Sequence, residues 1–153
     1  MAYQLQAFLG SREALQPLAT AFRGARLVPL LVEPLVLAPF VQVLRTAVQS
    51  RGPDEDPRWP FGSLAREGAR RVQDVCGAGA LAYVEAEFFG GAGHQSAVGF
   101  LDGAVALGPV ASRDAINQAL RFLGVLPAGK QDEFDTVGLF RHRSTDAWYA
   151  PAG

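Results

Sequence analysis

A chain of 153 residues, 49% hydrophobic and 19% charged, has the length and apolar content of a single globular domain, residues 1–153, and is too poor in charge for a disordered segment. A net charge of −1 excludes the broad basic footprint of a nucleic-acid binder, and the single cysteine, Cys76, excludes an internal disulfide. The basic residues are 13 Arg and one Lys in a chain rich in Ala and Gly, a balance that points to a GC-rich bacterial genome.

The first residues lack the charged and apolar regions of a signal peptide, and prolines, Glu33, Gln42 and Arg45 interrupt the apolar stretch at 27 to 48. The expectation is therefore a cytoplasmic protein with no membrane span. Tyr3 to Leu9 reads as an opening strand. Ser11 is placed to cap a helix with Leu15, Leu18, Ala19 and Phe22 on its apolar stripe, ended by Gly24. Pro17 predicts either a kink or a start near Gln16, because proline in a helix interior removes a backbone bond.

Leu27 to Val32 and Leu35 to Ala38 read as two strands of a hairpin, with Pro29 at an edge or bulge. From Pro39, suited to a first helical position, Phe40, Val43, Leu44, Ala47 and Val48 have helical spacing. Residues 51 to 62, rich in proline and acidic groups, form a long connection of the kind that is usually mobile or functional. Ser63 then stands as the cap of an amphipathic helix that turns Leu64, Gly68, Val72, Val75 and Cys76 inward.

Residues 80 to 110 organise the chain. Tyr83, Glu85 and Glu87 alternate with Ala82, Val84, Ala86 and Phe88, which predicts a strand with one wet and one buried face. Gly90, Gly91 and Gly93 form a glycine-rich bend with His94 and Gln95 beside it. Asp102-Gly103 between two apolar runs predicts a tight hairpin, since both of its residues accept positive φ. Ser112 is the expected cap of a helix through Ile116, Ala119, Leu120 and Leu123, with a Schellman ending at Gly124-Val125. In the tail, Phe134, Val137, Leu139 and Phe140 are apolar enough to dock, and Ser144 caps a short turn. These elements predict an α+β fold: a mainly antiparallel sheet of about six strands with helices packed on one face, the other open to a partner.

Glu85 and Glu87 on one strand face stand roughly 6 to 7 Å apart by strand rise. That spacing, with His94 nearby, permits a small hydrolase, but strand carboxylates more often form a solvated face. The glycine-rich bend precedes a strand rather than a helix and lacks the Gly-Lys-Ser/Thr of a Walker loop, so it is no phosphate cradle. Asp132, Glu133 and Asp135 do not match a calcium loop, and Arg141-His142-Arg143 offers them ion-pair partners. No cofactor is expected.

Tyr83 to Gln95 and Ile116-Asn117 through Leu123-Gly124-Val125, with Asp132 to Asp135, Gly138 and His142-Arg143, resemble a group of small uncharacterised bacterial cytosolic proteins. Some of these resemble immunity proteins associated with secreted toxins. The resemblance spans roughly residues 80 to 150, carries no catalytic residues and implies a non-enzymatic protein-binding module whose partner is a protein such as a toxin. The expected surface comprises Tyr83, Glu85, Glu87, Phe89, Gly90, Gly91, Gly93, His94 and Gln95, with Asp132, Asp135, His142 and Arg143 nearby. A structural domain that forms homo-oligomers is the third reading.

Overall fold

The computed structural model describes residues 2–50, 54–89 and 92–150. Among these residues six strands form one antiparallel sheet: β1 (Tyr3–Ser11), β2 (Val28–Pro29), β3 (Leu35–Pro39), β4 (Ala80–Phe89), β5 (Ala92–Leu101) and β6 (Ala104–Ala111), in the order β2-β3-β1-β4-β5-β6. The helices are α1 (Arg12–Ala21), α2 (Gln42–Ala47), α3 (Arg66–Val75), α4 (Ala115–Phe122), α5 (Glu133–Val137) and α6 (Thr145–Tyr149). The α+β class and the antiparallel six-stranded sheet are as expected from the sequence.

The helices are not confined to one face. Phe8, Val36, Leu81, Tyr83, Val98 and Phe100 pack against Leu15 and Leu18 of α1, Leu44 of α2 and Val72 of α3. On the opposite side Leu5, Leu9, Leu37, Ala82, Val84 and Ala97 pack against Ile116, Ala119 and Leu120 of α4, Val137 of α5 and Trp148 of α6. The central strands are apolar on both faces, as Leu5 to Leu9 and Leu81 to Val84 show, and each face requires its own cover. Two cores with the sheet between them replace the two-layer arrangement.

Several local signals act as expected. Ser11 Oγ accepts from Ala14 N at 3.0 Å to start α1. Asp102 and Gly103 sit at φ 50° and 82° between β5 and β6. After α4, Val125 N donates to Leu120 O and Gly124 N to Arg121 O, both at 3.0 Å, which is the Schellman pattern.

Others act differently. α1 runs from Arg12 to Ala21 with Pro17 inside it, so it does not start near Gln16, and Glu13, whose carbonyl loses its helical donor there, is exposed. Pro39 ends β3 instead of opening a helix; α2 begins at Gln42, and Val43 is exposed. The first half of β1 extends past the end of β3, and the tail covers it. Gln4 N donates to Arg143 O at 2.9 Å and Gln6 N to Thr145 Oγ1 at 2.9 Å. No helix among the described residues is long and apolar enough to cross a membrane.

Candidate functional site

β4 carries the side chains singled out by the sequence, and the structure divides them along its length. Tyr83 is fully buried, with its ring centroid 4.9 Å from Phe8, 5.4 Å from Phe61 and 5.5 Å from Phe40. Glu85 is 7% exposed. Its Oε1 accepts from Gly62 N at 2.7 Å, and its Oε2 accepts from Ser63 N at 2.9 Å and from Tyr83 Oη at 2.7 Å. Both carboxylate oxygens are thus committed to donors of the chain itself. Burial pushes the Tyr83 phenol well above its ordinary pKa, and the adjacent Glu85 carboxylate raises it further.

This clamp corrects two expectations. Tyr83 and Glu85 leave the recognition surface because the segment before α3 closes over them, with Trp59 and Phe61 buried and Trp59 Nε1 donating to Leu64 O at 2.7 Å. Ser63 is not the helix cap: α3 starts only at Arg66 with Ala65 before it, while Ser63 N donates to Glu85 and Ser63 O accepts from Ser50 Oγ at 2.9 Å. Of the connection at 51 to 62, residues 51–53 lie outside the described residues; the part from Trp59 to Gly62 is docked on the sheet.

Past Glu85 the strand emerges. Glu87 is exposed and lies opposite His94 of β5, also exposed, while Phe89 at the end of β4 is 76% exposed. Phe88 points to the other side, where it packs with the α4 and α5 core. Gly93 sits opposite Phe88, and a Cβ there would overlap Glu87 O and the Phe88 ring. Its glycine is required by packing. Gln95 Oε1 accepts from Ile116 N at 2.9 Å and so caps α4 from a neighbouring strand. Gly90 and Gly91 lie outside the described residues.

The tail residues are spread over the opposite side of the sheet. Asp132 caps α5, its Oδ1 accepting from Asp135 N at 2.9 Å, and Asp135 is exposed. His142 stacks edge-on against Trp148 at 4.6 Å between ring centroids, and Arg143 lends its carbonyl to β1. Glu133 pairs with Arg121 at 3.1 Å rather than with the basic triplet. The expected surface is therefore not one patch: Glu87, Phe89 and His94 share the exposed end of β4 and β5, Gln95 and Asp132 line a hollow behind it, and His142 and Arg143 flank the edge of β1. That hollow also contains Tyr3, Phe88, Arg113, Asn117 and Phe134. Sequence reasoning missed these five as a group, since only Asn117, Phe134 and the alternation at Phe88 carried any local signal, and none pointed to the others.

No family model matches the chain, and neither a curated protein nor a solved structure is similar to it.

Proposed function

We propose that this chain is a non-enzymatic protein-binding module of the immunity type, which grips a protein partner such as a bacterial toxin through the exposed end of β4 and β5. The observation that carries this reading is Phe89, a large apolar ring left 76% exposed at a strand end, with Glu87 two residues before it and His94 across the strand pair. An exposed aromatic flanked by charge is the composition of a binding hot spot, where one ring supplies much of the affinity and polar neighbours set the register. Glu85 supports the same reading from beneath, since its three hydrogen bonds fix the strand from which the end projects.

Glu87 opposite His94 keeps a hydrolase as the second reading, now without Glu85, whose oxygens are occupied. A photo-crosslinking residue at position 89, compared with one at Leu126, which is at least as exposed, separates the two. The binding reading expects one discrete protein adduct in the native cell from position 89, none from 126, and an affinity about thirtyfold lower for Phe89→Ser. Adducts of equal yield from both positions, or turnover in a hydrolase screen that Glu87→Gln abolishes, would overturn it.

A further inference from the structure

The opposite face of the same strand end forms a lined hollow. Tyr3, Phe88 and Phe134 are its walls: the Tyr3 ring lies 5.6 Å from Phe134, edge-on, and 6.3 Å from Phe88. The hollow has a volume of about 300 Å³, and a second of about 260 Å³ adjoins it through Phe88, Gln95 and Arg113. Such a space is at the small end for a ligand site and suits one ring with a short polar extension.

Among the described residues the polar side chains lining the first hollow are spent on the fold, with two exceptions, and His94 stands uncommitted at the second. Asn117 Oδ1 accepts from Phe134 N at 2.9 Å and its Nδ2 donates to Asp132 Oδ2 at 3.1 Å. Asp132, the one carboxylate at the rim, also holds Asp135 N. Gln95 uses its oxygen on Ile116 N. That leaves the Gln95 amide nitrogen and the Arg113 guanidinium, which make no hydrogen bond or ion pair among the described residues. Gln95 and Arg113 each line both hollows, and Arg113 is exposed. Aromatic walls with an uncommitted guanidinium and an amide donor at the mouth complement a ring that carries a carboxylate.

We infer that this hollow binds an aromatic carboxylate, either a free aromatic acid or the C-terminal aromatic residue of a polypeptide. The ring enters between Phe88 and Phe134, and the carboxylate accepts from Arg113 and Gln95. The first hollow lies on the other face of the sheet from Phe89, while the second reaches His94 at the strand end; the inference does not rest on the protein-binding reading.

Titration of the full chain, followed by its backbone amide resonances, tests it with three probes: N-acetyl-phenylalanine, a short peptide ending in phenylalanine, and the same peptide with an amidated end. Saturable shifts are expected at Gln95, Arg113, Asn117 and Phe134, with amidation or Arg113→Gln weakening binding by about tenfold or more. Arg12→Gln, at the far end of β1, is the charge-matched control and should change nothing. Tighter binding of the amino-acid derivative assigns the site to free acids, and tighter binding of the peptide assigns it to a chain terminus. Absence of saturable shifts, or binding indifferent to both amidation and Arg113→Gln, would overturn the assignment.

Discussion

Two glutamates separated by one alanine have opposite surroundings, and the difference comes from what the rest of the chain brings to each. Glu85 meets the amides of Gly62 and Ser63 and the Tyr83 hydroxyl; Glu87 is exposed, with His94 its register partner on β5. Cys76 shows a similar effect of burial. It lies against the α1 and α3 core, and desolvation lifts its thiol from the ordinary 9.0 to about 11. Because the folded state disfavours the thiolate, this group's contribution to stability is complete below pH 9. It declines as pH rises toward 11, where the unfolded chain ionises first. Urea midpoints should therefore fall between pH 8 and pH 10.5, and the fall should be shallower in Cys76→Ala. An identical pH slope in that variant would show the thiol to be uncoupled from folding.

At the scale of elements, what was legible in the sequence was what local chemistry decides. The Asp102-Gly103 turn, the Ser11 and Ser144 caps and the Schellman ending at Gly124 each depend on residues within a few positions of one another. Illegible were the elements whose ends are set from afar. Ser63 has the local look of a cap, yet its backbone is tied to Glu85, 22 residues away, and to Ser50, and α3 starts only at Arg66. Ile116 is capped by Gln95 from another strand, 21 residues away, which no pattern within the helix announces. Gly93 belongs to the same class: its place in a glycine-rich bend suggested a flexible contact loop, whereas the Phe88 ring across the strand pair excludes a side chain there. Gly93→Ala should lower unfolding free energy by about 2 kcal/mol, the scale of overpacking a filled site, and thermal melting of the purified variant measures it. A melting temperature unchanged from wild type would mean that the β4–β5 pair and the Phe88 ring shift freely to admit the methyl group.

For the whole molecule, the departure from expectation is the second layer of helices. Period 2 in β4 was read as one wet face, but Tyr83 is apolar over most of its surface, and Ala82 and Val84 make the alternate face apolar as well. A strand of that kind is stable only between two layers, each fully buried large side chain contributing roughly 1.5 to 3 kcal/mol. The faces of β1, β3 and β4 are consequently occupied by the chain itself, β6 stays largely exposed, and the surface offered by β4 shrinks to the strand end beyond Glu85. The candidate site was legible in sequence as a stretch but not as a surface, because sequence spacing gives the alternation of side chains and not the height at which the covering layer stops.

That division is tested most directly by equilibrium urea unfolding of Glu85→Ala beside Glu87→Ala. The account predicts that loss of the buried carboxylate, which strands two amides and a phenol, costs about 3 kcal/mol, while loss of the exposed one changes stability by less than about 0.5 kcal/mol. Equal effects of the two substitutions, or a larger one at Glu87, would contradict it.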